Sequence, residues 1–491
     1  MRVANPAILL AFLAVLVAYP ATARAQGNPP AWTPPSNLFE TEGRASEAEV
    51  VADPFGAVHV FWAYGAPDAE EEGWGQAIYY TRLHDGVWSE PVDVLVSPGG
   101  RPARMPSAAA DSDGVLHVVW SGGNALFYSR AYAPEAGAAM AWTTPEALAI
   151  GVAASEPAVA VGPDDALFAI WSQARAGLIF ARSDDGGQNW SAPQVIYQAD
   201  RDNELARWGR IAVDGAGRIH AVLTYTVDDP TANAGRITNL LYYLRSDDQG
   251  ATWTEPRLMT PEPDFGEISV ATFGEDTVHV VWNGRAGRHG RYHRWSQDGG
   301  EAWSAIDEVI APAPANPIGN GGLTGFPALA TDADGALHMV TTAVQGNFYL
   351  RWQDGVWTSP VLITPGLDGN GVTRTANSLE QPSIAISQGD QLHAVFHDGF
   401  ERIWHTSRQI DAPYQPPQAA PTRAPASAAE PTAGPATPVT ASPTPAPSLP
   451  VAAQAPPPAT SPSYVPILAG VAPAVLLIGV VVLMVGARRR Q

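Results

Sequence analysis

The stretch Asp111-Ser112-Asp113-Gly114-Val115-Leu116-His117-Val118-Val119-Trp120 reads as a tight turn followed by an alternating apolar strand. Working outward from it, the same half-unit recurs as Asp53-Pro54-Phe55-Gly56 before Val58-His59-Val60-Phe61-Trp62. It returns at Leu167 to Trp171, Ile219 to Leu223, Val278 to Trp282, Leu337 to Val340 and Leu392 to Phe396, a spacing in the range of propeller blades. Each of the first six copies is followed by a second half: an aromatic strand, a turn, and a Trp (Trp88, Trp142, Trp190, Trp253, Trp303, Trp357). The seventh copy stops at Ile403-Trp404-His405 without that Trp, whereas Trp32-Thr33-Pro34-Pro35 lies orphaned before the first copy. A segment from Trp32 to Phe39 serving as the outer strand of the last blade would close a ring and remove the exposed sheet edges. The expected fold is therefore all-β, a seven-bladed propeller of four-stranded antiparallel blades closed by its N-terminal strand. Short strands rich in Val, Tyr, Phe and Trp, punctuated by Gly and Asp, agree with it.

Three turns carry the spacing Ser-x-Asp-x-Gly-x-x-Trp: Ser183, Asp185, Gly187 and Trp190; Ser246, Asp248, Gly250 and Trp253; Ser296, Asp298, Gly300 and Trp303. This resembles the Asp box of the sialidase-type, bacterial neuraminidase repeat propellers, over residues 31 to about 409. Asp85-Gly86-Val87-Trp88 and Asp354-Gly355-Val356-Trp357 look like degenerate forms of it. The residues read as structural. A turn carboxylate accepts backbone N–H groups, Gly supplies positive φ, and the Trp packs back over the turn. The resemblance further implies that these turns lie opposite the active face.

The ends of the chain give it an expected address. Residues 1–25 combine Arg2, an apolar run and Ala23-Arg24-Ala25, the pattern of an export signal. Residues 26–410 form the propeller. Residues 411–463, dominated by Pro, Ala, Thr and Ser, make a linker unable to bury a core and suited to an extended stalk. Residues 464–487 are apolar enough for one transmembrane helix of about 33 Å. Residues 488–491, with Arg488, Arg489 and Arg490, form a basic cytoplasmic tail. The expectation is a single-pass cell-membrane protein with an extracellular, monomeric ectodomain. None of the 491 residues is Cys, so an exported domain must rest on its core rather than on disulfides. The net charge of −21 argues against nucleic acid as a partner.

His59, His117, His220, His279, His338 and His393 share one repeat position, with Phe168 standing there in the third copy. One per blade, they are too dispersed for convergent metal ligation and read as side chains satisfied by neighbours. No metal or cofactor is expected, although the acidic loops have the oxygen chemistry of a divalent cation site. Ligand contacts are expected on the loop-rich face, from Trp74, Arg104, Trp208 and Glu380. The sialidase resemblance would imply a triad of arginines, a Tyr nucleophile with its Glu, and an acid/base Asp. The aromatic-Arg-Ile-Pro motif is absent, and Arg101-Pro102-Ala103-Arg104-Met105-Pro106 is its nearest counterpart. Arg104, Glu204, Arg207 and Asp229 are the candidate catalytic residues. The favoured reading is a non-catalytic module binding a glycan or a surface protein; the alternative is a sialidase-like or other glycoside-acting enzyme with a non-standard site.

Overall fold

The computed structural model describes residues 31–66, 75–199, 204–229, 236–260, 267–284, 290–311, 323–343, 346–364, 381–398 and 401–421; side chains of 227–229, 236–238 and 323–324 are left aside. Among these residues the structure is almost entirely strand, with three single-turn 3₁₀ segments. No helix among them is long and apolar enough to cross a membrane. The expected signal, the stalk beyond residue 421 and the apolar segment 464–487 lie outside the described residues.

Seven antiparallel sheets follow one another around a channel. Their inner strands are Arg44–Ala52, Arg104–Ala110, Ala154–Val161, Glu204–Val213, Ile268–Phe273, Leu323–Thr331 and Ser383–Ser387, in blades 1 to 7. The His-bearing segments form the second strands, and each is a continuous buried run because sheets pack against both of its faces. In blade 7, Ser36–Glu40 pairs with Arg402–Gln409, placing Ser36 opposite His405. The Thr33 N–H donates to the Ser407 carbonyl at 2.8 Å. The ring is thus sealed by its N-terminal strand.

The repeated Trp performs a job different from the local one its spacing suggests. Each packs against an aromatic ring of the preceding blade: Trp142 on Phe61 (5.8 Å between centroids), Trp190 on Tyr128 (5.0 Å) and Trp253 on Phe180 (5.2 Å). Trp303 meets Tyr243 at 4.9 Å and Trp357 meets His293 at 5.2 Å. Trp32 completes blade 7 by meeting Tyr349 of blade 6 at 5.3 Å, and Trp88 of blade 1 meets His405 of blade 7 at 4.9 Å. All seven joints, the seam included, carry one aromatic clasp. Two of them also bond back into the loop before them, the Trp303 indole N–H donating to the Gly300 carbonyl at 3.0 Å and the Trp142 indole N–H to the Ala136 carbonyl at 2.9 Å.

Local chemistry explains the turns. Asp185 Oδ1 accepts the N–H groups of Gln188 (3.0 Å) and Asn189 (2.9 Å), and Ser183 Oγ accepts the Gly187 N–H at 2.9 Å. The Asn189 side-chain amide, the Asn189 N–H and the Ser183 hydroxyl, all donating to it, hold the Asp185 carboxyl down to about 2. Asp248 and Asp298 repeat the pattern. Gly187 and Gly300 face the hydroxyls of Tyr128 and Tyr243 so closely that a Cβ there would collide with them. The two degenerate sites are built otherwise. Asp85 and Gly86 both have positive φ, as do Asp354 and Gly355, which is the backbone of a primed two-residue hairpin. In those blades the outer strand splits into two short pieces.

Five of the six histidines are satisfied within their own blades, His393 by Ser387 and His405, whereas His279 meets His293 at 3.0 Å through Nδ1 and its Nε2 has no partner among the described residues. His117 lies between Tyr128 Oη at 2.8 Å and Asp111 Oδ2 at 3.1 Å; His59, His220 and His338 repeat this Asp–His–Tyr series. The other oxygen of each Asp caps the turn, as Asp111 Oδ1 does for the Val115 N–H at 2.7 Å. In the third blade Phe168 and Phe180 replace the polar pair with a stacked one.

After Gln409 the described chain stays on the propeller as far as residue 421, past the boundary at 410 expected from sequence. The Gln415 N–H donates to the Gln388 carbonyl at 2.8 Å, the Gln418 N–H to the Pro54 carbonyl at 2.9 Å, and Tyr132 Oη to the Pro421 carbonyl at 3.3 Å. Residues 411–421 therefore form a strap from blade 7 across blade 1 to blade 2, over the turns at that mouth of the channel.

Candidate functional site: the channel and its loop-side mouth

Near the loop-side start of most inner strands the register slips, between Ser46 and Glu49, Arg104 and Ser107, Ser155 and Ala158, Arg207 and Arg210, and Thr324 and Ala328. Within these bulges Glu47, Met105, Glu156 and Trp208 have φ between 52° and 57°, and Gln381 opens the seventh strand with φ 51°. Left-handed backbone costs a non-glycine residue about 1–2 kcal/mol. Bulges of this kind re-aim side chains beside functional sites. Here Glu47, Met105, Glu156, Trp208 and Gln381, from blades 1, 2, 3, 4 and 7, come to line the throat.

Two of the bulges are bolted to a neighbouring blade by the same device. Glu47 in blade 1 accepts the Met105 N–H at 2.6 Å and an Arg104 guanidinium N–H at 3.1 Å. Glu156 in blade 3 accepts the Trp208 N–H at 2.6 Å, the Ser172 hydroxyl at 2.9 Å, and Arg207 Nε and Nη2 at 3.2 and 2.9 Å. Arg104 and Arg207 meet again along the wall of one pocket of about 370 Å³ between blades 2, 3 and 4. Trp208 stands beside it, the Arg207 guanidinium 4.6 Å from its ring centre and Phe326 edge-on at 6.0 Å.

Deeper in, all seven inner strands line a channel cavity of about 300 Å³. It holds Arg210, whose guanidinium lies 4.1 Å from the Phe326 ring centre and donates to the Gly209 carbonyl at 2.9 Å. Glu49 faces it from blade 1. Burial pushes the Glu49 carboxyl up to about 7, against the smaller lowering effects of the Ser383 hydroxyl and Arg210.

Of the residues expected from sequence to form a site, the structure brings Arg104, Arg207 and Trp208 to the loop-side mouth. Glu204 begins the inner strand of blade 4 and is buried. Asp229 ends the second strand of blade 4, with its side chain not described, and Trp74 and Glu380 lie outside the described residues. Sequence reasoning missed Glu47, Glu49, Arg210 and Phe326. The signal was a partial second periodicity, the prolines Pro106, Pro157, Pro327 and Pro382 at the start of the inner strands of blades 2, 3, 6 and 7. Among the described residues no group of three or more metal-capable side chains converges.

No protein-family model and no curated protein matches the chain. Solved structures do. A polysaccharide lyase, an ulvan lyase bound to a GlcA–Rha3S saccharide, aligns over 77% of this chain and 96% of its own, at 13% identity and a TM-score of 0.51. An α-L-arabinanase from Penicillium chrysogenum aligns over 77% and 99%, at 12% identity and a TM-score of 0.47. A Hadza microbial sialidase aligns over 72% and 77%, at 13% identity and 0.42. At these identities the likeness to the ulvan lyase speaks for a shared propeller fold and for nothing finer.

Proposed function

We propose that this chain is a glycan-binding propeller without catalytic activity, carried on a Pro-rich stalk above a single membrane span. The observation that carries the reading is the state of the carboxylates at the loop-side pocket. Arg104 and Arg207 offer a wall of donors there, while Glu47 and Glu156 are each held by at least one backbone N–H and one arginine of a neighbouring blade. Glycoside hydrolysis needs two carboxyl groups able to exchange protons with substrate and water. Both oxygens of each are already engaged by donors, most of them from the next blade. Guanidinium donors beside the Trp208 ring suit the hydroxyls and apolar face of a sugar. A polysaccharide is also what the ulvan lyase sharing the fold was captured with.

The test is a glycan-array screen with residues 26–421, run beside hydrolase and lyase assays on the glycans retained. Binding without turnover, reduced at least tenfold by Trp208→Ala, is the expected result. A second reading, a glycoside-acting enzyme, is favoured by one observation: the raised carboxyl of Glu49 inside the channel has the character of a proton donor. Turnover abolished by Glu49→Gln would replace the binding module with that enzyme.

A further inference from the structure

The channel cavity lies below the loop-side pocket and calls for its own occupant. Its charged lining consists of Glu47 and Glu49 from blade 1, Glu156 from blade 3 and Arg210 from blade 4; blades 2, 5, 6 and 7 contribute none. Glu47 and Glu156 are neutralised by Arg104 and Arg207, which approach from the loop side. That leaves Arg210 and Glu49 as the charges that set the field inside. Arg210 has a protein carbonyl and an aromatic face as partners, and no carboxylate within ion-pair distance among the described residues. A guanidinium carries five N–H donors, so several are left to point into the cavity.

Hydroxyl donors surround it. Ser107 Oγ accepts the Val159 N–H at 3.2 Å, so its own proton is available to an acceptor in the channel. Ser269 is buried and lines the cavity, and its side-chain hydroxyl has no hydrogen-bond partner among the described residues. The strap of residues 411–421 crosses the opposite mouth.

We propose that the channel is a binding site for a small oxyanion, of carboxylate or phosphate size, held by the Arg210 guanidinium with the hydroxyls of Ser107 and Ser269. A planar guanidinium matches an oxyanion in bidentate fashion, and the flanking Phe326 keeps water from its other face. Glu49 is the gate. Ionised, it competes for Arg210 and repels the anion; protonated, it leaves the cation unopposed and can donate a hydrogen bond. The site is distinct from the glycan pocket, because Arg210 does not line that pocket and the anion requires no sugar.

The experiment titrates the ectodomain, residues 26–421, with sodium acetate and with inorganic phosphate, at constant ionic strength and at pH 6 and pH 8. Calorimetry and the thermal midpoint are the readouts. With a Glu49 carboxyl near 7, linkage makes the wild-type affinity about tenfold weaker at pH 8 than at pH 6. Glu49→Gln is expected to bind equally at both, at least as tightly as wild type at pH 6. Arg210→Gln is expected to lose binding at both. A parallel titration with glucuronate distinguishes a free anion from the acidic group of a sugar: tighter binding than acetate assigns the cavity to the latter source, and equal or weaker binding to the former. Absence of saturable binding to wild type at pH 6 overturns the proposal, as does binding that survives Arg210→Gln. Should Arg210→Gln fail to fold, an affinity of Glu49→Gln that still falls tenfold between the two pH values overturns it alone.

Discussion

Replacing Trp32 by Ala tests whether the seam is held as the other six joints are. The ring of Trp32 stands edge-on to Tyr349 and 5.7 Å beneath the Arg408 guanidinium, half-buried rather than fully enclosed. Removing a fully buried Trp costs about 3–5 kcal/mol, so a half-buried one is worth about 2–3 kcal/mol. Unfolding roughly 390 residues at about 2.1 cal/mol/K each turns this into a fall of about 3 °C in the thermal midpoint. The more telling effect is local. At the six other joints a lost clasp leaves its blade covalently continuous, whereas the Trp32 strand joins the rest of blade 7 through its ladder alone, with no turn linking it to Arg402–Gln409. Hydrogen exchange is therefore expected to accelerate along Ser36–Glu40 and the facing Arg402–Gln409, which share a ladder. Trp190→Ala serves as the control, with a comparable or larger midpoint shift but no release of Ser36–Glu40. If Trp32→Ala leaves exchange in Ser36–Glu40 unchanged, the clasp does not secure the seam and the reasoning fails.

Other outcomes follow from the same contacts. His117→Phe alone strands a buried Asp111 oxygen and the Tyr128 hydroxyl, and is expected to cost about 2 kcal/mol. Adding Tyr128→Phe should recover part of this in chemical denaturation, since Phe168 and Phe180 already make that pair in blade 3. Glu49 has its carboxyl raised from 4.5 to about 7, so its favourable contribution is intact below 4.5 and lost as pH climbs to 7. Glu49→Gln should accordingly unfold at a higher temperature than wild type at pH 8, with no such gain at pH 4. Asp185 has its carboxyl lowered from 3.8 to about 2, so its turn bonds are fully present above 3.8 and vanish as pH falls through 2. An Asp185→Asn variant is therefore expected to flatten the acid limb of the unfolding curve in that window. Ending the chain at Ile410 removes the strap and should expose the turns at Asp53 and Gln388 to faster exchange, with the inner strands unaffected.

The sequence was explicit about what repeats and silent about what the repeat faces. Blade number and closure were legible because Trp32 supplied the one missing element of a series. The direction of the Trp side chains was not, since a spacing within a turn carries no information about the neighbouring sheet that receives the ring. Asp85 and Asp354 read as eroded boxes because Asp, Gly and Trp survive there, yet positive φ at two successive residues makes them hairpins of another type. At the mouth, Arg104 and Arg207 stood out as isolated charges. Their partners Glu47 and Glu156 lie 57 and 51 residues away, one blade or more distant, where only the ring brings them into range. Glu49 and Arg210 look like ordinary polar positions of alternating strands, and only the closed channel gives them their shared environment.

The one-strand offset at the seam also imposes an order in time. Ser36 finds its partner His405 only after 369 further residues have been made. At about 5–20 residues per second that is roughly 20 to 70 s of synthesis. Throughout this interval the first blade lacks the joint through His405, and the opening residues have no sheet to enter. Six blades can condense one after another, but the strand made before any of them is the last to be placed, so the propeller matures last at its first-made strand.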